Sequence, residues 1–214
     1  VGRLCFFLYV CRPPRSQRDR ASAASDVYKR HSFMSSTDFG ETWTNTVGIS
    51  GMNSGSQTPQ MASFSGNIYV IWEQKPDMIS NVMEIYFVKS TDWGQTWSSP
   101  INISNTTLST SRWAQIECIG NTVYCSWLES ITYPESDIYF SKSTNGGNSW
   151  TTPVNITNDS RPQNRIFMDV FNEESIYIAS DDILTFNFDE IYLMRSTDDG
   201  STWSTPINIT NNSG

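Results

Sequence analysis

Acidic and basic side chains recur in this 214-residue sequence at similar intervals and lie beside aromatic residues. The acids are Glu73, Glu129, Asp181 and Asp182; the arginines are Arg112, Arg161 and Arg165; the aromatic residues are Trp72, Trp113, Trp127 and Tyr133. Arginine can grip a carboxylate through two parallel N–H groups, and a pair of carboxylic acids can hydrolyse a glycosidic bond. If the fold brings them together, these residue types predict a site for a polar ligand such as a sugar.

One eight-residue motif occurs four times along the chain. The copies are Ser36–Trp43, Ser90–Trp97, Ser143–Trp150 and Ser196–Trp203, and their first serines are 54, 53 and 53 residues apart. A fixed period of this length is typical of a repeat architecture. All copies follow the pattern S-x-D-x-G-x-x-W, except that Asn145 takes the place of the Asp in the third.

Each residue type of the motif suits a tight turn between two strands. The Gly can adopt a positive φ, the Asp or Asn can accept hydrogen bonds from backbone N–H groups, and the Trp can bury a large ring. We therefore predict a structural role for the motif residues, which are Asp38, Gly40, Trp43, Asp92, Gly94, Trp97, Asn145, Gly147, Trp150, Asp198, Gly200 and Trp203.

Four short strands, which we name A to D, are predicted in each repeat. In the second repeat they are Gln57–Phe64, Asn67–Glu73, Glu84–Lys89 and Trp97–Ile103, rich in β-branched and aromatic residues. No window has a helical period, so almost no helix is expected. Such an antiparallel meander makes one propeller blade. The predicted fold class is therefore all-β, with about three and a half four-stranded blades, because the first repeat supplies only its second half.

Meander geometry sorts the loops onto two faces. The A–B and C–D turns lie on one face, and the B–C loops and D–A links lie on the opposite face, which we call the rim. The acids follow strand B and the arginines begin strand A, so both fall on the rim. The candidate ligand-binding residues are Glu73, Arg112, Glu129, Tyr133, Arg161 and Asp181. A second interpretation stays open, in which the acids are only solvated and the arginines only cap strand ends.

The repeated motif is the Asp-box, or BNR repeat, and the chain resembles the sialidase-like β-propellers. A closer resemblance covers residues 57–214, where Pro59–Ala62, Gly66–Trp72 and Glu84–Phe87 are similar to tandem BNR proteins of archaea and environmental bacteria. The resemblance implies a six-bladed ring with its substrate pocket on the rim. Three and a half blades cannot close such a ring, so the chain is expected to be a fragment, an open arc, or half of a homodimer that completes a ring.

For a sialidase, the resemblance implies three arginines on the sugar carboxylate, a Tyr nucleophile paired with a Glu, and an Asp acid/base. The Arg-Ile-Pro motif of that family is absent, and Arg161-Pro162 is the nearest pairing. Tyr133 with Glu135 or Glu129 is one arrangement of the Tyr/Glu pair. Two functions are carried forward: a non-catalytic, extracytoplasmic module that binds a glycan or a protein, and a portion of a sialidase-like exo-glycoside hydrolase.

Residues 1–26 differ in composition from the repeats, which occupy residues 27–214. The apolar run Leu4–Cys11 is flanked by arginines and is too short to span a bilayer. Three interpretations stay open for this segment: non-native sequence, a remnant that resembles a signal peptide, or a packed element. The second of these fits the expectation of a secreted or extracytoplasmic protein.

The charge distribution excludes several classes of partner. The net charge is −8, and from residue 31 onward seven basic residues face twenty acidic ones. Because nucleic acids and anionic membranes are bound by clustered Lys and Arg, neither is an expected partner. With one His in the chain, no metal or other cofactor is expected. Cys118 and Cys125 flank a turn near Gly120, where a disulfide and two buried free thiols are equally compatible with the sequence.

Overall fold

The computed structural model describes residues 5–11, 30–50, 55–77, 79–106, 108–132, 135–159, 161–182 and 190–210. The described residues form fifteen strands in four antiparallel sheets and no helix, which confirms the predicted all-β fold class. Within this part of the chain, no segment has the helical length and hydropathy that a membrane-spanning helix requires.

The strands follow one another as antiparallel meanders, and we number the four sheets blade 1 to blade 4. Blade 1 contains β1 (Cys5–Cys11), β2 (Arg30–Ser36) and β3 (Val47–Gly48). Blade 2 contains β4 (Gln57–Phe64), β5 (Asn67–Gln74), β6 (Glu84–Ser90) and β7 (Ile101–Asn102). Blade 3 contains β8 (Thr110–Ile119), β9 (Thr122–Thr132), β10 (Glu135–Ser143) and β11 (Val154–Asn155). Blade 4 contains β12 (Gln163–Val170), β13 (Ile176–Asp182), β14 (Glu190–Ser196) and β15 (Ile207–Asn208).

Strand β1 comes from the segment that sequence composition sets apart. It pairs with β2 along all seven residues, from Cys5 opposite Ser36 to Cys11 opposite Arg30. The run of aromatic and branched residues in β1 suits an extended strand. Strand β1 therefore takes the place of a strand B in blade 1, where the repeat alone predicts two strands. The division of the chain at residue 26 stays a prediction.

The outer strand of each blade is shorter than the sequence predicts. Strand D of blade 2 pairs with strand C only through Ile101 and Asn102. In blades 2, 3 and 4 the residue immediately before this pair is a proline, which has no N–H to donate to the ladder. Closer to the turn, two bonds at one residue hold the chain to strand C: the Ser98 N–H donates to the Lys89 carbonyl at 2.9 Å, and the Lys89 N–H donates to the Ser98 hydroxyl at 3.1 Å.

The hydrophobic core lies between consecutive blades. Strand A of blade 3 contacts strand A of blade 2 and strand A of blade 4. One aromatic contact repeats at each junction: a Phe on strand C meets the motif Trp of the next blade edge-on. The pairs are Phe33 with Trp97, Phe87 with Trp150 and Phe140 with Trp203, with ring centroids 5.0, 5.0 and 5.1 Å apart. The motif Trp therefore joins two blades as well as closing its own turn.

The motif Gly completes this junction because it leaves room for the Phe ring. Gly147 has φ +79°, and a Cβ built on it would lie 2.3 Å from the Phe87 ring. Gly94 and Gly200 stand in the same relation to Phe33 and Phe140. A side chain at these positions is excluded both by the backbone conformation and by the neighbouring blade.

Hydrogen bonds from the turn backbone converge on the motif Asp. In blade 2 the Ser90 hydroxyl donates to Asp92 Oδ1 at 2.7 Å, and the Thr96 N–H donates to the same oxygen at 2.8 Å. The Thr96 hydroxyl donates to Asp92 Oδ2 at 2.5 Å. The Thr96 side chain and backbone, followed by Ser90, lower the pKa of Asp92 to about 2. In the third copy Asn145 accepts from the Ser149 N–H at 2.9 Å and donates to the Ser149 hydroxyl at 2.8 Å, so an amide can serve the same turn.

We expect Asp92→Ala to lower the melting temperature by several degrees and Asp92→Asn to lower it less, because Asn can make the contacts that Asn145 makes. The folded pKa of Asp92 lies below the value of 3.8 for a free side chain. Its carboxylate therefore stabilises the fold above about pH 4, and this stabilisation is lost as the pH falls towards 2. Thermal melts between pH 7 and pH 2 should show the difference in melting temperature between wild type and Asp92→Asn becoming smaller as the pH falls from about 4 to 2. Equal losses for the Ala and Asn variants at pH 7 would contradict the assignment.

Candidate functional site

The strand register divides the rim acids into two sets. Trp72, Trp127 and Ser180 are equivalent, because each lies opposite a strand C tyrosine: Tyr86, Tyr139 and Tyr192. Successive side chains of a strand point to opposite faces of the sheet. Gln74, Glu129 and Asp182, two residues further on, therefore share a face with this first set, whereas Glu73 and Asp181 lie on the other face.

In blade 2 the first face carries an indole that covers a tyrosine. Trp72 is fully buried, and its ring stacks on Tyr86 with centroids 6.2 Å apart and an interplanar angle of 21°. The Trp72 Nε1–H donates to Gln74 Oε1 at 2.9 Å, and the Ser56 hydroxyl donates to the same oxygen at 3.1 Å. This face of blade 2 is hydrogen-bonded within the blade and packs against blade 1 through Trp72.

Blade 3 repeats the arrangement with a carboxylate. Trp127 stacks on Tyr139 at 6.3 Å and 24°, and its Nε1–H donates to Glu129 Oε2 at 2.8 Å. Glu129 is buried and also accepts hydrogen bonds from the hydroxyls of Ser109 and Ser111. Both carboxylate oxygens of Glu129 are therefore occupied by residues of blade 3.

Glu73 joins two blades. It is buried, accepts a hydrogen bond from the Thr58 hydroxyl, and accepts another from the Trp113 N–H of blade 3 at 2.9 Å. Thr58 and Trp113 both have positive φ, and each lies at a register shift in strand A. These bulges aim a hydroxyl and an N–H at one carboxylate.

Blade 4 departs from this pattern because Ser180 stands where blades 2 and 3 have Trp. The guanidinium of Arg161 covers a face of Tyr192 instead, with Cζ 4.0 Å from the ring centroid. A guanidinium over an aromatic face is a favourable cation–π arrangement. Arg161 is held there by Asp159, which accepts from the Arg161 Nε–H at 3.1 Å and from the Arg161 backbone N–H at 2.9 Å.

Beside this pair lie buried acceptors without donors. Asp182 is 1% exposed, and neither of its carboxylate oxygens has a hydrogen-bond partner. In blades 2 and 3 the equivalent side chain receives the indole N–H, which Ser180 cannot supply. Gln163 is also buried; its amide donates to Asp159 at 3.1 Å, but its Oε1 has no partner.

The surroundings of Asp182 act on its pKa in opposite directions. Burial raises the pKa of Asp182, and the positive charge of Arg161 is the largest influence that opposes the rise. The backbone N–H of Glu190 also lowers the pKa, although it does not form a hydrogen bond of good geometry with either carboxylate oxygen. We call Asp159, Arg161, Gln163, Asp182 and Tyr192 the blade-4 cluster.

The other candidates from the sequence lie apart from this cluster. Asp181 accepts a hydrogen bond from the Arg165 N–H at 2.6 Å, and its Oδ2 is 3.7 Å from Arg165 Nε. Arg112 is exposed and forms no ion pair with a described residue. Tyr133 lies outside the described residues, so its pairing with Glu129 or Glu135 stays a prediction.

Sequence reasoning identifies Arg161 as a candidate but does not predict its contacts with Asp159 and Tyr192. It does not single out Asp159, Gln163 or Tyr192, and it places Asp182 among the rim acids but not among the candidate ligand-binding residues. The repeat itself contains a signal for this site. The position that is Trp72 in blade 2 and Trp127 in blade 3 is Ser180 in blade 4. A comparison of the repeats position by position finds the exception, whereas a search for recurring residues finds only what the repeats share.

Cys118 and Cys125 are free thiols in the structure. Ile119 pairs with Thr122, so Gly120 and Asn121 form the turn and the two cysteines lie diagonally across the hairpin. Burial raises the pKa of Cys118 to about 11 and raises the pKa of Cys125 as well, which disfavours a reactive thiolate. Their disulfide stays a prediction. Among the described residues, no three His, Cys, Asp or Glu side chains come together as a metal site.

No protein-family model and no curated protein matches this sequence. Several solved structures are similar to the chain in three dimensions. A protein of unknown function from Dyadobacter fermentans matches with a TM-score of 0.69 and 16% identity over 96% of this chain. The intramolecular trans-sialidase from Ruminococcus gnavus matches with a TM-score of 0.67 and 11% identity over 97% of this chain. An ulvan lyase, which is a polysaccharide lyase, matches with a TM-score of 0.64 and 12% identity over 85% of this chain.

These similarities establish the class of fold and nothing narrower, because all three identities are low. The chain has the β-propeller fold of the sialidases, as a set of blades rather than as a whole relative. It spans 65% of the Dyadobacter protein, 68% of the trans-sialidase and 50% of the lyase.

Proposed function

We propose that this chain is a non-catalytic, extracytoplasmic propeller module that binds a glycan on its rim. The observation that carries the proposal is the blade-4 cluster, where an arginine, an aromatic ring and unpartnered buried acceptors replace the packed Trp–Tyr pair of blades 2 and 3. Aromatic faces and convergent polar groups are the usual means of orienting a ligand in a protein site. The fold supports the choice of ligand, since the trans-sialidase and the ulvan lyase are named for reactions on glycans.

The state of the other rim acids supports binding over catalysis. A glycosidase needs one carboxyl group that reaches the glycosidic oxygen and a second that reaches the sugar or a water molecule. Glu73 and Glu129 are buried and already accept hydrogen bonds from the protein. A Tyr nucleophile would require a glutamate beside its hydroxyl, whereas the hydrogen bonds that Glu73 and Glu129 accept come from Thr, Ser and Trp residues.

A second candidate is a portion of a sialidase-like exo-glycoside hydrolase. The observation that favours it is the likeness to the trans-sialidase, of which this chain spans 68%. Under this candidate, Arg161 would contact a sugar carboxylate, and Tyr133 would act with a glutamate.

Glycan-array binding by the full chain, together with turnover of a fluorogenic sialoside, separates the two candidates. We expect binding without turnover, and Arg161→Ala should weaken the binding about tenfold, the equivalent of about 1.4 kcal/mol. Arg165→Ala is the matched control, because Arg165 is the next arginine along the chain but pairs with Asp181. Turnover that disappears in Arg161→Ala would overturn the non-catalytic proposal. Absence of binding to any glycan would overturn the choice of ligand.

We also propose that a second copy of the chain is a partner. Leu193 takes the position on strand C that Phe33, Phe87 and Phe140 occupy, yet it is only half-buried, whereas those three lie against the next blade. A blade of a second copy is a surface of the right kind to cover it. Light scattering on the full chain should then give twice the mass of one chain. A monomer at all concentrations tested would contradict this partner.

A further inference from the structure

The residue type at one position of strand B distinguishes blade 4 from blades 2 and 3. Trp72 and Trp127 fill this place in blades 2 and 3 and are both fully buried. In blade 4 a serine side chain stands there, and Arg161 covers the tyrosine from the direction of the D–A link. The side chains of Arg161 and Asp159 are 19% and 28% exposed, so the cluster reaches the surface of the rim.

The atoms left without partners are all acceptors. They are Asp182 Oδ1, Asp182 Oδ2 and Gln163 Oε1, and the residues that carry them are 1% and 4% exposed. Buried polar atoms in folded proteins nearly always have a partner. A group that satisfies these three atoms must donate hydrogen bonds. Neighbouring hydroxyl groups on one edge of a sugar do so, because each hydroxyl carries one donor.

The charges around the cluster select against an anion. Asp159 pairs with Arg161, which leaves Asp182 opposed by no second cation among the described residues. The charges of Glu190 and Asp159 raise the pKa of Asp182, against the larger opposite influence of Arg161. Three acidic side chains therefore lie around one guanidinium. A carboxylated or sulfated sugar would place another negative charge beside these acids, whereas a neutral sugar would not.

We propose that the blade-4 cluster binds a neutral sugar, with hydroxyl groups of the sugar donating to the two carboxylate oxygens of Asp182 and to Gln163 Oε1, and with Arg161 and Tyr192 bounding the site. The inference rests on the proposed glycan-binding function and names its ligand class. It separates this site from one that grips a sugar carboxylate through arginine, since Arg161 is committed to Asp159 and Tyr192.

The test is saturation-transfer NMR on the full chain with the methyl glycosides of galactose, glucose and mannose, and with N-acetylneuraminic acid. We expect transfer to at least one neutral glycoside and none to N-acetylneuraminic acid. Asp182→Asn should weaken the binding about tenfold or more, because it replaces one acceptor with a donor that faces the sugar hydroxyls. Asp181→Asn is the matched control, since Asp181 is adjacent in sequence but on the other face of the strand.

A second variant tests whether the sugar lies at position 180 of strand B. Ser180→Trp restores the residue type of blades 2 and 3, and an indole there should abolish binding by occupying the sugar's position.

Asp182→Asn is expected to fold, because burial raises the pKa of Asp182 and the amide removes a charge that the fold disfavours at neutral pH. Its circular dichroism spectrum and melting temperature provide the check.

The outcomes separate the inference from the function on which it rests. If N-acetylneuraminic acid binds and Arg161→Ala abolishes that binding, the glycan-binding function stands and the neutral-sugar inference is overturned. The same holds if a neutral glycoside binds equally well to Asp182→Asn, because the site then lies elsewhere. If no glycan binds in the array or by NMR, the cluster holds only water, and both proposals are overturned.

Discussion

Replacement of Gly147 by alanine should destabilise the protein by about 2–5 kcal/mol. A left-handed backbone conformation costs a residue with a Cβ about 1–2 kcal/mol, and Gly147 has φ +79°. The new Cβ would also lie 2.3 Å and 2.5 Å from two carbons of the Phe87 ring. Phe87 cannot move freely, because it is 1% exposed and packs edge-on against Trp150. Overpacking of this kind costs about 1–3 kcal/mol.

Gly40→Ala separates these two contributions. Gly40 has φ +91°, but the nearest atom to its Cβ position belongs to Trp43, at 3.6 Å, which is ordinary contact. This variant should therefore lose only the backbone part, about 1–2 kcal/mol. Urea unfolding of the full chain measures both losses. If Gly40→Ala and Gly147→Ala cost the same, the close approach of neighbouring blades does not constrain the motif Gly.

Much of the fold could be predicted because the same pattern of strands and turns occurs in several copies of the repeat. Strand β4 begins and ends at the predicted residues Gln57 and Phe64, and strands β5 and β6 differ from their predictions by one residue at one end. Their alternation of side chains and the turns between them are local properties. The predicted strand D is longer than the observed one. In blade 2 the ladder between strands C and D includes only the two residues that follow Pro100, and the residue pattern alone does not show where this ladder begins.

Other features depend on distant residues that no local pattern reveals. Strand β1 lies outside the repeat, and its partner β2 begins 19 residues after β1 ends. Two of the three donors to Glu129 come from strand A and the link before it, 18 and 20 residues earlier, and one donor to Glu73 is 40 residues away in the next blade. Sequence can nominate these acids for a site, but it cannot show that the protein already provides their donors.

Blade 4 is different because its exception can be read in the sequence once the register is known. The register makes Ser180 equivalent to Trp127, Asp182 to Glu129 and Gln163 to Ser111. Two residues before the last pair, Arg161 is equivalent to Ser109. Two changes therefore occur together in blade 4: Ser180 replaces the indole, and the guanidinium of Arg161 covers the face of Tyr192.

This coupling predicts the effect of copying blade 4 into blade 3. Trp127→Ser should cost about 3–5 kcal/mol, the range for removing a large buried aromatic side chain, because Trp127 is fully buried on Tyr139. It also removes the N–H that donates to Glu129 at 2.8 Å, which leaves a buried carboxylate with one donor fewer.

Adding Ser109→Arg should recover part of that loss, although the same change in the wild type should be harmful. With Trp127 present, Ser109→Arg removes the Ser109 hydrogen bond to Glu129 and brings a large side chain to a tyrosine face that is already covered. In the Trp127→Ser background, the guanidinium can lie over Tyr139 and pair with Glu129, worth about 1 kcal/mol by analogy with other cation–π contacts. Urea unfolding of both single variants and the double variant gives the coupling energy. Strictly additive losses would mean that Arg161 merely lies beside Tyr192, and that the serine in blade 4 is tolerated for another reason.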